Sequence, residues 1–171
     1  MDLKLFFLTV GYSGLSPKAP GTVGTVASLP IGVAFLFFLP PSSLLLLTIL
    51  ISIFAVKIID IYEKEKNIHD PKEIVIDELV GLWLAFSISL SDKITIEDLT
   101  NFSQPLIAIV LSFFLFRLFD IWKPSIIGKV DQKVKGGLGV VGDDLLAGLV
   151  AGLLASAISH NFDTIISLIK G

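Results

Sequence analysis

"GGLGVVGDDLLAGLVAGLLASAI" (Gly136–Ile158) puts two adjacent carboxylates, Asp143 and Asp144, at the mouth of a long apolar run. Neighbouring negative charges repel each other, and hydrocarbon around them penalises both. A chain that keeps the pair there needs something positive close by. The run itself is apolar enough to enter a membrane.

The rest of the chain has the same character. Residues of the hydrophobic set make up 53%, charged residues 17%, and the mean hydropathy is +0.85. Soluble domains carry roughly 25% charged residues. A chain of 171 residues cannot hide this much apolar surface inside itself, so a greasy soluble bundle is disfavoured. The length suits one domain, residues 1–171, with no break in composition. With no cysteine, disulfides, thiolate metal sites and cysteine nucleophiles are excluded. The net charge of −3, with no strongly basic face, argues against nucleic acid as a partner. The start, "MDLKLFFLTVGYSG", lacks the basic lead and cleavage site of a signal peptide and reads as part of the mature protein.

Five apolar stretches stand out, near Val26–Leu39, Leu44–Ile59, Ile74–Leu90, Leu106–Trp122 and Leu145–Ser159. Each falls short of the roughly 20 residues of a full span. The expectation is an all-α polytopic membrane bundle of about five transmembrane or partly re-entrant helices. Pro40-Pro41 breaks the first from the second, and "SDKITIEDLTNFSQP" (Ser91–Pro105) is a polar connector. Lysines sort the connections into two sides. Lys4 and Lys18 precede the first stretch, Lys64, Lys66 and Lys72 follow the second, and Lys123, Lys129, Lys133 and Lys135 follow the fourth. The alternate connections hold only Lys93 and Lys170. The positive-inside rule then puts the amino terminus and both basic loops in the cytoplasm.

On that topology the acids converge. Asp77 and Glu78 open the third stretch, Asp120 closes the fourth, and Asp143 and Asp144 open the fifth, all at the inner interface. Two Gly-rich loops, "GYSGLSPKAPGTVGT" (Gly11–Thr25) and "KVKGGLGVVG" (Lys133–Gly142), emerge on the same side. Taken singly, acids at a helix start are explained by capping and the macrodipole. Asp120 is not, because a helix carboxyl end already carries negative potential. A plain pair with Arg117, one turn earlier, would account for it.

Taken together, hard oxygen donors without cysteine suit Mg2+, which binds through a few carboxylates plus substrate phosphate. Arg117 and Lys123 flank Asp120 in "RLFDIWKP", and Lys18 lies in the first loop; such cations would clamp phosphate oxygens. In "APGTVGT", Gly21 would let backbone approach an anion and Thr22 offers a hydroxyl, although such a segment is commonly only a turn. His69 and Asp70 could assist proton transfer, against the plainer reading of a solvated loop. Asp60, Glu63 and Glu65 alternate with lysines and read as a solvated face.

Four blocks make the pattern recognisable: "GLSPKAPGTVGT" (Gly14–Thr25), "HDPKEIVIDELVG" (His69–Gly81), "FRLFDIWKP" (Phe116–Pro124) and "GGLGVVGDDLLAG" (Gly136–Gly148). In order and spacing the sequence resembles bacterial phosphatidylglycerophosphatase A over nearly its whole length. The resemblance implies a magnesium-dependent inner-membrane phosphatase that converts phosphatidylglycerophosphate, a phospholipid, to phosphatidylglycerol at the cytoplasmic face. By motif, Asp77, Glu78, Asp120, Asp143 and Asp144 fall on the family's acidic positions. Arg117, Lys123, Gly21 and Thr22 match as well. Asp77, Glu78, Asp143 and Asp144 are the expected metal ligands, with Asp120 orienting water. Ser125-Ile126 stands where the family commonly has Trp-Pro, Gly142 where it has a large apolar residue, and Thr25 where it often has serine. The competing reading is a cation or proton transporter, whose acids should lie mid-span. A phosphatidyltransferase would need an Asp-x-x-Asp-Gly pattern that is missing. Oligomeric state is not inferable from these features.

Overall fold

The computed structural model describes residues 2–68 and 70–162, and these are helical apart from turns and connections. The order is α1 (Leu3–Leu8), a 3-10 turn (Ser13–Leu15), α2 (Pro20–Phe38), α3 (Pro41–Lys66), α4 (Ile76–Ser89), α5 (Ile96–Thr100), α6 (Gln104–Trp122), α7 (Ile126–Lys133) and α8 (Gly137–His160). The all-helical bundle expected from the sequence is what forms.

Local chemistry sets the boundaries. Pro20, Pro41 and Pro105 stand in the first turns of α2, α3 and α6, where a missing N–H costs nothing. Ser103 caps α6 by accepting from the Leu106 N–H, and Thr95 with Asp98 forms a capping box on α5. Asn67 and Lys123 end α3 and α6 in the left-handed conformation. The connector Ser91–Pro105 is therefore polar, as its sequence implies, but contains a short helix.

Four helices, α2, α3, α6 and α8, are long and apolar enough to cross a membrane. The third apolar stretch is different. Its helix, α4, has 14 residues, about 21 Å at 1.5 Å per residue, against about 30 Å of hydrocarbon. It is the buried centre of the bundle, with Val80, Leu82, Ala85 and Phe86 fully inaccessible.

Glycine decides how α4 meets α8. A Cβ on Gly81 would fall 2.8 Å from the Asp144 carbonyl oxygen, and one on Gly148 would collide with the Gly81 carbonyl. One turn on, Gly152 faces Ala85 in the same register. The two helices thus run parallel with backbones in contact, as small residues permit in membranes, where packing rather than hydrophobic drive joins helices. α2 runs the same way, with Gly24 on Val75 and the Trp83 indole donating to the Ser28 carbonyl at 3.0 Å. α6 runs the opposite way, with the Ser112 hydroxyl donating to Ser89 at 2.9 Å and Phe116 filling the space over Gly81.

The bundle is apolar outside and charged within. Leu46, Ile53 and Phe54 of α3, Phe114 and Leu118 of α6, and Leu149 and Leu153 of α8 are exposed, whereas Glu78, Asp120, Asp143 and Asp144 are buried. A water-soluble protein shows the reverse.

Candidate active site

The crossing at Gly81 and Gly148 fixes the acids, since Asp77 and Glu78 lie one turn before Gly81 and Asp144 lies one turn before Gly148. Asp120 arrives from the last turn of the antiparallel α6. Carboxylate oxygens of Glu78, Asp120 and Asp144 lie within 4.8 Å of one another, all three residues buried. Beside them opens a cavity of about 230 Å³, bordered by Asp77, Glu78, Asp120, Asp143 and Asp144 together. The five acids singled out in the sequence therefore meet at one end of the bundle. Helix α8 begins at Gly137, so Asp143 and Asp144 sit in its second turn, where neither can cap it. The segment Gly137–Gly142, expected as loop, is helix.

Two cations answer part of this charge. Arg117 Nη1 lies 2.5 Å from Glu78 Oε2 and 2.5 Å from Asp120 Oδ2, and Nη2 donates to Thr22 Oγ1 at 3.2 Å. The simple Arg117–Asp120 pair is thus present but is one arm of a link from α6 to α4 and α2. Thr25 Oγ1 donates to Glu78 Oε2 at 2.8 Å. Lys123 Nζ lies 2.6 Å from Asp143 Oδ2 and 2.5 Å from Asp131 Oδ1. Burial works against the Lys123 charge, but hydrogen bonds to Asp131 and Asp143 outweigh it and hold the ammonium above the usual lysine range.

Other carboxylate oxygens of the cluster have no hydrogen-bond partner. Asp77 Oδ1, Asp143 Oδ1 and Asp144 Oδ2 are buried without a hydrogen-bond partner. Orphaned buried carboxylate oxygens are costly, and a cation among these three residues, which border one cavity, could relieve that cost. All the donors are hard oxygens, which fits Mg2+. Asp120, expected only to orient water, belongs to the tightest group of donors, while Asp77 and Asp143 border the same cavity.

Residues 6–159 match the family model described as phosphatidylglycerophosphatase A. The chain belongs to the phosphatidylglycerophosphatase A family. It is 35% identical over 158 residues to "Phosphatidylglycerophosphatase A" of Escherichia coli (strain K12), covering 91% of this chain and 83% of the relative. It is 33% identical over 159 residues to the protein of the same name in Haemophilus influenzae, covering 91% and 89%. It is also 37% identical over 145 residues to a Bacteroides thetaiotaomicron protein named "Putative phosphatidylinositol-3-phosphatase", covering 83% and 84%. No solved structure matches the chain. Membership of the phosphatidylglycerophosphatase A family makes the chain an enzyme, a phosphatase.

In this family member the other sequence-flagged residues divide. Gly21 borders the cavity, and its missing side chain matters because a Cβ would collide with Glu78 Oε1. Gly21 and Thr22 belong to the first turn of α2 rather than to a loop. Asp70 borders the cavity, whereas His69 lies outside the described residues. Lys18 is exposed and does not border the cavity; the lysine of that region that does is Lys72. Asp60 is not merely solvated, since its Oδ1 accepts from the Gly137 N–H at 2.8 Å and anchors the start of α8 to α3. Asp131 was missed altogether. In sequence it is one charge in "GKVDQKVK", and only the turn of the chain after Pro124 brings it back to Lys123.

Proposed function

We propose that the chain hydrolyses the terminal phosphomonoester of phosphatidylglycerophosphate to give phosphatidylglycerol and phosphate, with Mg2+ as cofactor. The reaction occurs at the cytoplasmic face of a bacterial inner membrane. One observation carries the reading: buried carboxylates from three helices, with orphaned oxygens, border a cavity at one end of a bundle whose exterior is apolar. The names of the relatives from E. coli and H. influenzae supply the substrate.

Glu78, Asp120 and Asp144 would hold the ion, with Asp77 and Asp143 beside them. Bound there, a divalent cation would supply Lewis-acid polarisation of the phosphoryl oxygens and would relieve the repulsion an anionic substrate meets among the acids. The protein's own groups do the remainder. Arg117 spans Glu78, Asp120 and Thr22, so its guanidinium is fixed before substrate arrives and acts as a preorganised positive charge. Lys123 has three donors, two of them held by Asp131 and Asp143, and keeps the third for a phosphate oxygen. A carboxylate of the cluster orients the attacking water in line with the leaving alkoxide. With no cysteine in the chain, a thiolate nucleophile is excluded, and direct attack by water is the simplest course.

The position of the site suits a lipid. Acyl chains stay against the exposed apolar helices while the headgroup reaches an end of the bundle. The transporter alternative has no such support, because the buried acids gather at one end instead of lining a path.

The decisive assay is phosphate release in detergent micelles from phosphatidylglycerophosphate, phosphatidate and phosphatidylinositol 3-phosphate, each with Mg2+ or with EDTA. Release should be Mg2+-dependent and fastest from phosphatidylglycerophosphate. Asp144→Asn and Asp77→Asn should abolish it while leaving the protein folded. Undiminished activity in both variants, or in EDTA, would refute the assignment. Preference for phosphatidylinositol 3-phosphate would move the substrate to that of the Bacteroides relative's name.

A further inference from the structure

We infer that Asp131 is a positioning residue, which holds the Lys123 ammonium between itself and Asp143 so that one N–H stays aimed at the substrate. The inference rests on the phosphatase reading of the cavity and adds to it a residue that lies outside the spanning helices.

The geometry begins in the turn between α6 and α7. Lys123 and Ser125 both have positive φ, 47° and 48°, on either side of Pro124. Side-chain-bearing residues adopt this conformation at a cost, and here it reverses the chain so that α7 folds back over its own entry. Gly128 allows this, since a Cβ there would lie 2.5 Å from the Lys123 carbonyl oxygen. Buried Ile127 anchors the helix, and Val130 packs over Gly142 of α8. Asp131, on the next residue, borders the cavity and meets Lys123 Nζ at 2.5 Å.

Lysine is a flexible stem carrying a point charge, so its position depends on what holds it. Asp143 alone would hold the ammonium on one side, against a carboxylate that is almost wholly buried. Asp131 supplies a second hold, from a helix that belongs to no span. The ammonium is thereby suspended across the cavity wall instead of neutralising Asp143 completely. Asp131 is not in the Glu78–Asp120–Asp144 group, and its Oδ1 is committed to Lys123. Its effect should therefore pass through Lys123.

A double-mutant cycle tests this. Wild type, Asp131→Ala, Lys123→Ala and the double variant are compared in kcat and KM for a lipid phosphomonoester with Mg2+. Their thermal unfolding midpoints are measured in detergent with EDTA. Asp131→Ala should lower kcat about tenfold or more with a smaller change in KM, and should cost less than about twofold in the Lys123→Ala background. Asp131→Asn, which keeps the oxygen acceptor, should recover part of the loss. Losses that multiply, or no loss in the single variant, would overturn the inference. If the wild type releases no phosphate from any lipid phosphomonoester, the proposed function falls. The midpoints then decide the contact alone: non-additive shifts uphold the Asp131–Lys123 link and additive shifts overturn it.

Discussion

Replacing Arg117 by methionine tests whether the carboxylate cluster is a cation site. Methionine keeps an apolar stem and removes the charge together with the guanidinium's hydrogen bonds to Glu78, Asp120 and Thr22. Arg117 contacts two carboxylates at 2.5 Å, and the three side chains are only 10–13% exposed, so solvent screens them little. Removing one partner from a buried ion pair costs about 3–5 kcal/mol, mostly because the other charge is left bare. For a chain of this length, about 2–4 °C per kcal/mol gives a fall of roughly 6–20 °C in the unfolding midpoint in EDTA. A bound divalent cation should offset part of this fall. An ion at one hundred times its dissociation constant stabilises a protein by about 2.7 kcal/mol. The variant, with one resident cation fewer, should gain more from Mg2+ than the wild type does. Differential scanning fluorimetry in detergent, with EDTA and across a Mg2+ series, reads both effects. A variant as stable as the wild type in EDTA, or one that gains no more from Mg2+, would refute the electrostatic account of the site.

Two further outcomes follow from packing and topology. Gly81→Ala forces a Cβ to 2.8 Å from the Asp144 carbonyl and into the Phe116 ring, so it should cost about 1–3 kcal/mol and depress activity by displacing Asp144 from Glu78. Gly142→Ala, whose Cβ would meet only Val130 at 3.4 Å, should leave the unfolding midpoint within a degree or two of wild type, and equal midpoints for the two variants would argue against the crossing. Because the chain has no cysteine, single cysteines report sidedness cleanly. In intact cells a membrane-impermeant maleimide should label Lys93→Cys and spare Lys66→Cys, and the opposite pattern would invert the proposed orientation.

The continuous apolar stretches located each long helix, because exposure to lipid leaves an apolar signature that tolerates few exceptions. It could not size the third one. Ile74–Leu90 is as apolar as its neighbours, but burial inside a bundle and exposure to lipid select the same residues, so composition does not separate a span from the short central α4. Helix starts were misplaced for a related reason. Gly137, Gly139 and Gly142 read as loop, yet they are helical because α8 comes close to other backbone there; a Cβ on Gly137 would collide with the Val56 carbonyl and one on Gly139 with that of Val134. The five acids were legible because charge at a membrane boundary is expensive enough to need a reason. Asp131 and Asp60 were not legible. Asp131 lies among lysines in a polar stretch, and Asp60 begins the run of alternating charges that ends α3, and each acquires its role only through a partner distant in sequence or reached by a reversal of the chain.

The glycine crossing and the acid cluster are two aspects of one arrangement. In hydrocarbon, helices gain little from burying apolar surface against each other, so close association needs small residues that let backbones touch. Gly81 against Gly148 provides that contact and permits almost no sliding, since either helix meets the other's carbonyl oxygens. One turn toward the end of the bundle, the same two helices bring Glu78 and Asp144 together. The rule that lets the pair pack in a membrane thus also sets the separation of its carboxylates, with a precision that loops would not supply. The antiparallel α6 then adds Asp120 and Arg117 through Phe116, which fills the space beside Gly81. Each carboxylate-bearing turn is in this way adjacent to a close-packed turn. A charge cluster that hydrocarbon would otherwise scatter is thereby held together at one end of the bundle.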